Sequence, residues 1–302
     1  MAKATRQAGA SRPKPVKKST SPKPKAGRKT SPKKTTRRSG NVRKGFHGKS
    51  ALAMVVFGPP KVGKTAFAAH FPKPGFLFDP QEEGIADLVE FNQAPEPIFQ
   101  DEVKDWSALL SALEDVAAGQ YDVETLVIDS LTGMEKLCFI HHCSEYFEDD
   151  WSSRGFYSYQ QGPKNAAKTD WPEFLDAVDA IRKAGINVIL VAHSVVKNFA
   201  NPEGADYERF IPYLDKDIWQ ATHRWAKAVL FYNYHVEVDT TKKRSVKNKA
   251  KMDTEQRFIY ADWSPAFDAG NRYGLDPLMD AGGNGKDAFD AFDLAFREAA
   301  GV

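Results

Sequence analysis

Ala51-Leu52-Ala53-Met54-Val55-Val56-Phe57 runs without a break into Gly58-Pro59-Pro60-Lys61-Val62-Gly63-Lys64-Thr65-Ala66. A continuous apolar run with β-branched content describes a strand covered on both faces, as in a parallel sheet, rather than an alternating half-exposed one. The eight residues from Gly58 to Thr65 fit G-x-x-x-x-G-K-[ST] at every fixed position, and the helical pattern AFAAH follows. In that pattern backbone N–H groups wrap a phosphate at a helix start, which needs glycine's positive-φ freedom and its missing Cβ. Lys64 is then expected to reach the β- and γ-phosphates of a nucleotide and Thr65 to ligate Mg²⁺, with 58–66 as the binding segment.

Such a site needs a second carboxylate on the metal side, at the end of a neighbouring buried strand. Thr125-Leu126-Val127-Ile128-Asp129-Ser130 offers Asp129 where the ligands of open α/β sheets bind. An acid here also suits the N-cap of a helix beginning near Leu131, and the two roles are compatible.

Outward from these two motifs, strand and helix patterns alternate. FLF at 76–78, NVILVA at 187–192 and AVLFYNYHVEV at 228–238 read as strands. Trp106, Leu109, Leu110, Leu113 and Val116 recur at helical spacing, as do Trp171, Phe174, Leu175, Val178 and Ile181 behind an Asp170 cap. A hairpin through RFIYADW at 257–263 extends the sheet edge. A closing helix carries Phe289, Phe292 and Phe296 on one stripe. The fold class is α/β: a mainly parallel, doubly wound sheet with helices on both faces and a C-terminal antiparallel hairpin.

The charge is divided along the chain. The 302 residues carry 42 Lys and Arg against 40 Asp and Glu, but residues 1–49 hold 17 of the basic side chains and no acid. That leaves 25 basic and 40 acidic residues in 50–302. With so few large apolar residues, 1–49 reads as a disordered basic tail beside one domain at 50–302. Its Ser21-Pro22-Lys23-Pro24 and Ser31-Pro32-Lys33-Lys34 resemble the repeats of linker-histone tails that lie along DNA. A second basic run, Lys242, Lys243, Arg244, Lys247, Lys249 and Lys251, falls between the last two long strands. Both suit phosphate backbones. Tyr232, Tyr234 and Tyr260 are either core residues or stacking faces beside it. No apolar run approaches the ~20 residues of a membrane helix, and two cysteines, Cys138 and Cys143, make no disulfide framework, so a cytoplasmic setting is expected. With His141 and His142 those cysteines share one helix, where only pairs face the same way, too few for structural zinc.

GPPKVGKT, FLFDPQEEGIADL, LVIDSLTGMEKL and VILVAHS, in this order, resemble the RecA-like P-loop ATPase core, and more narrowly the phage-type ATP-binding proteins that include the Sak-type single-strand-annealing ATPases. The resemblance spans roughly 50–280. It implies ATP and Mg²⁺ as cofactors, ATP hydrolysis, single-stranded DNA as partner and a homo-oligomer. It also implies a catalytic Glu after the second strand, for which Glu83 stands first and Glu82 second, since spacing does not separate them. His193, at the end of NVILVA, takes the place of the γ-phosphate sensor that moves a DNA-contacting loop, here 194–214. Gly270-Asn271-Arg272-Tyr273-Gly274 resembles the Lys-Asn-Arg-Phe-Gly motif whose basic residues reach a neighbour's ATP; Arg272 matches, and Gly270 stands where the lysine would be. The missing lysine keeps open a nucleotide-gated DNA-binding module with little hydrolysis. A P-loop kinase finds no acceptor-side motif. Phe156 to Gly162 reads as part of a long connection suited to ligand binding.

Overall fold

The run of apolar residues before the P-loop builds the central strand of the sheet. The computed structural model describes residues 51–82, 84–202, 204–238 and 250–301. The basic tail at 1–49, Glu83 and the tip of the second basic run lie outside them. β1 (Ala53–Gly58) is buried at every position. Val55 and Phe57 face one apolar cluster, whereas Met54 and Val56 face a second. A strand with a core on each side cannot alternate with polar residues, which is why the sequence there is apolar throughout.

β1 lies between two parallel neighbours, β5 (Asn187–Phe199) and β7 (Ala228–Val238). Beyond β5 come β4 (Thr125–Asp129), β2 (Pro74–Phe78) and β3 (Phe99–Glu102), all parallel. Beyond β7 the sheet turns antiparallel through β8 (Ala250–Tyr260) and β10 (Leu278–Asp280). β6 (Tyr207–Pro212) pairs with the far half of β5, and β9 (Gly270–Asn271) with the start of β7. The order β10-β8-β7-β1-β5-β4-β2-β3 is the expected mainly parallel sheet with its antiparallel hairpin.

Helices cover both faces. α3 (Trp106–Ala117), α4 (Leu131–Phe147), α6 (Asp170–Lys183) and α7 (Lys216–Trp225) supply Trp106, Met134, Trp171 and Ile218 to one cluster. α1 (Lys64–Ala69) and the closing α8 (Gly285–Ala300) cover the other, where Phe292 sits 5.9 Å from Phe67 and 5.5 Å from Phe71 between ring centroids. A short α2 (Ala86–Glu90) follows β2, and α5 (Gln161–Ala166) precedes α6. No helix among the described residues is long and apolar enough to cross a membrane.

Three local expectations change. Asp170 does not cap α6; it is the first helical residue, with Thr169 at the cap position, and its carboxylate meets His142 Nδ1 at 2.6 Å and accepts from Thr169 Oγ1 at 2.7 Å. A buried acid at a crowded helix start binds the imidazole it faces instead of its own backbone. The segment 194–214 is not an open loop for most of its length: β5 continues to Phe199 and returns through β6 in a ladder from Ser194↔Pro212 to Phe199↔Tyr207. The connection at 156–162 is structured by buried Phe156, which packs on Phe139, Phe147 and Trp151, and it passes through the 3-10 turn Ser158–Gln160 into α5.

Phe292 is 2% exposed at the centre of the α1–α8 layer. Truncation to alanine should cost about 3–5 kcal/mol of stability by removing apolar burial and leaving a cavity. Urea unfolding of the Phe292→Ala chain checks this; a loss under about 1 kcal/mol would mean that α8 is not part of the core.

Candidate active site

Parallel strands that share a register end together, so whatever chemistry their last residues carry meets at one edge. Gly58 at the end of β1 lies opposite His193 on β5; Asp129 at the end of β4 lies opposite Val191 on β5 and Phe78 on β2. The P-loop, His193, Asp129 and the turn after Phe78 are therefore neighbours although they come from four parts of the chain. They line a cleft of about 1070 Å³ with Lys61, Gly63, Lys64, Thr65, Gln81 and Glu82.

The P-loop has the backbone its sequence demands. Gly63 sits at φ 104°, a left-handed conformation that a residue with a Cβ rarely adopts, and the chain turns there into α1. Lys64 Nζ donates to the carbonyls of Gly58 at 3.2 Å and Pro59 at 2.9 Å, so its ammonium is held inside the loop. Thr65 Oγ1 donates to Asp129 Oδ2 at 2.6 Å and ties the loop to β4 across the intervening β5. Asp129 does not cap α4; Ser130 does, its Oγ accepting from Gly133 N.

Both charges are held at a cost. Burial lowers the Lys64 ammonium to about 8, against the favourable pull of Asp129 and Glu82. Burial likewise pushes the Asp129 carboxyl up to about 6, against the hydrogen bond from Thr65. The hydrogen bond from His193 holds Glu82 below the usual carboxylate range, with Nε2 and Oε1 2.8 Å apart. Glu82 is thus the acidic residue of the 79–84 turn that the described structure brings to the cleft.

Three contributors escaped the sequence reading. Asp79 is 2% exposed and accepts from Ser130 N and Ser130 Oγ at 3.2 Å and from Gln81 N at 2.9 Å, fixing the turns that carry Asp129 and Glu82. Gly133 leaves room for it, since a Cβ there would fall 1.9 Å from the Asp79 carboxyl carbon. An acid directly after a buried strand was the available signal, the same one that marks Asp129. Arg257 on β8 donates Nη1 to Val62 O at 2.9 Å, and Tyr234 on β7 donates its hydroxyl to Lys61 O at 2.8 Å. Nothing local in the sequence announces these two contacts.

Arg272 stands elsewhere. Its backbone N–H donates to Lys227 O, and Lys227 N–H donates to Ala53 O, which places it where β1 and β7 begin. There it lines a separate hollow of about 500 Å³ with His223, Arg224, Lys227 and Trp263. Tyr232 is a core residue, while Tyr234 and Tyr260 are partly buried.

The family model described as AAA domain matches residues 50–273. The chain belongs to that family. Membership makes it a P-loop NTPase of the AAA type that binds nucleotide, in keeping with a P-loop and a strand-end acid at one sheet edge. No curated protein matches the chain. Oxygen donors on Thr65 and Asp129, one of them a buried carboxylate, are the hard ligands that Mg²⁺ prefers.

Asp129 supplies a test of this balance. Its folded-state pKa of about 6 exceeds the ordinary 3.8, so the folded chain holds the proton more tightly than the unfolded one. The stability cost of the ionised carboxylate is absent below the unfolded value, grows as pH rises to about 6 and is complete above it. Without nucleotide or Mg²⁺, Asp129→Asn should therefore be more stable than wild type at neutral pH, by on the order of 1–3 kcal/mol, with the gain shrinking toward pH ~4. Thermal unfolding at the two pH values checks it; a less stable variant at neutral pH contradicts it.

Proposed function

We propose that this chain is a Mg²⁺-dependent ATPase that acts on single-stranded DNA in annealing, recombination or repair, in the manner of the Sak-type proteins it resembles. The observation that carries the hydrolytic part is the His193–Glu82 pair at 2.8 Å, at the same sheet edge as Lys64 and the Thr65–Asp129 bond. A carboxylate kept ionised and pointed by an imidazole can orient a water and take its proton, as phosphoryl hydrolysis requires. Lys64 offers the β- and γ-phosphates a fixed positive charge. Mg²⁺, held through Thr65 and Asp129, would neutralise charge on the phosphate oxygens. His193, joined to Glu82 on one side and continuous with the β5–β6 hairpin on the other, is suited to report whether the γ-phosphate is present.

The DNA part is supported by the resemblance and by the charge of two segments, 1–49 and 242–251, on a chain whose remainder is acidic. Arg272 lies at the opposite edge of the sheet from this chain's own site, so an arginine role in catalysis requires a second copy stacked head to tail. That geometry supports a homo-oligomer. It also sustains a second reading, in which the isolated chain binds nucleotide and DNA but hydrolyses little because no arginine from a neighbour is in place.

ATP turnover with and without a single-stranded oligonucleotide is the direct experiment. Stimulation by the oligonucleotide is expected, with Glu82→Gln lowering turnover by about 10²- to 10³-fold while nucleotide stays bound. Binding without turnover favours the gated module, and the absence of both stimulation and DNA retention overturns the proposal. Turnover that survives Glu82→Gln and is lost in Glu83→Gln assigns the base to Glu83.

A further inference from the structure

We infer that Arg257 is a nucleotide-binding residue of this chain's own site, a fixed cation that takes the α-phosphate end of the bound nucleotide. The inference rests on the nucleotide reading of the cleft and adds a contact that the P-loop motif does not contain.

Sheet order gives the nucleotide a direction. β1 has β5 and β4 on one side, carrying His193 and Asp129, and Glu82 joins them there; β7 and β8 lie on the other side. The groups suited to act on a γ-phosphate all belong to the β5 side. The opposite end of a nucleotide lying along the P-loop therefore points toward β8, where Arg257 lines the cleft together with Asn284 and Lys286.

The side chain is placed for an anion. Arg257 Nη1 lies against Gly63, 2.7 Å from where a Cβ would be, so the guanidinium occupies room that only glycine leaves. Its plane is set from below by the Tyr234 ring, 5.4 Å from Cζ to ring centroid, and Tyr234 is the residue directly across the β7–β8 ladder. One nitrogen is used by Val62 O, and the Tyr232 hydroxyl lies beside the guanidinium on the Gly63 side. No carboxylate pairs with Arg257 among the described residues, and its Nε is buried without a hydrogen-bond partner. A guanidinium fixed at a cleft wall without an ion-pair partner is a cation lacking its counter-charge, and a phosphate in the cleft supplies it. Of the lysines that line the cleft, Lys286 pairs with Asp290, Lys64 points into the loop, and Lys61 is an exposed side chain that is not fixed at the wall as Arg257 is.

A purely structural role, support of the Val62 carbonyl, makes a different prediction, and Arg257→Gln separates the two. Glutamine keeps an N–H donor for Val62 O but carries no charge. Affinities for ADP and for ATP, each with Mg²⁺, should fall together by about 10- to 100-fold in both Arg257→Gln and Arg257→Ala, the range expected for loss of a charge-assisted bond. Equal losses for the two nucleotides support the α-phosphate end. Melting temperature without nucleotide monitors folding, and Arg257→Lys, which keeps a positive charge but not the planar fork, serves as a second variant whose loss of ADP affinity should be smaller than that of Arg257→Gln. ADP affinity in Arg257→Gln within about twofold of wild type overturns the inference, as does a loss confined to ATP. A wild-type chain that binds neither nucleotide sinks the nucleotide reading itself, a result distinct from either.

Discussion

The hydrogen bond from Thr65 Oγ1 to Asp129 Oδ2, 2.6 Å long, joins the two halves of the site. It spans the end of β5, which separates the strand before the P-loop from the strand bearing the acid. A parallel sheet with apolar clusters on both faces is a poor medium for ions, and Asp129 and Lys64 sit at its margin with 6% and 5% of their surface exposed. Neighbouring carboxylates only partly offset desolvation for the lysine, and the Thr65 hydrogen bond only partly for the aspartate, so the lysine is drawn down to about 8 and the aspartate up to about 6. Groups in that condition gain most from a ligand that brings both negative phosphate and a divalent cation.

The loop between those charges is gripped from two directions. On the β4–β5 side, Asp79 fixes the Ser130 turn and His193 fixes Glu82. On the β7–β8 side, Tyr234 and Arg257 hold the carbonyls of Lys61 and Val62. The residues of the x-x-x-x stretch in G-x-x-x-x-G-K-[ST] are thereby set by partners more than 170 positions away, while its fixed residues are set by local backbone geometry and by phosphate. Tyr234 and Arg257 face each other across the β7–β8 ladder, the two strands between which the basic run falls in the sequence.

Most of this architecture was legible because its signals are local. Gly58 to Thr65 is a motif, Asp129 follows four buried apolar or β-branched residues, and β1, β4, β5 and β7 are apolar or β-branched runs. β3 was not legible: Phe99-Gln100-Asp101-Glu102 lies at the sheet edge, mostly exposed, where polar residues are tolerated and no apolar pattern is required. Asp170 misled as a cap because its preference for a helix start was right, but its partner, His142, comes from another helix. The choice between Glu82 and Glu83 depends on the turn after Asp79 and not on spacing. Arg257 was hidden because its meaning lies in its neighbours, and a lone arginine in a strand sequence names none of them.

The central claim is that the buried Lys64, Thr65 and Asp129 constellation is completed by Mg²⁺ and nucleotide. Thermal unfolding of the full chain across a series of Mg²⁺–ADP concentrations tests it most directly, because a ligand that binds only the folded state raises its stability by RT ln(1 + [L]/Kd). The account predicts a melting temperature that climbs with concentration in wild type and stays flat in Lys64→Ala. A wild-type melting temperature that does not move at millimolar Mg²⁺–ADP, or one that moves equally in Lys64→Ala, would contradict it.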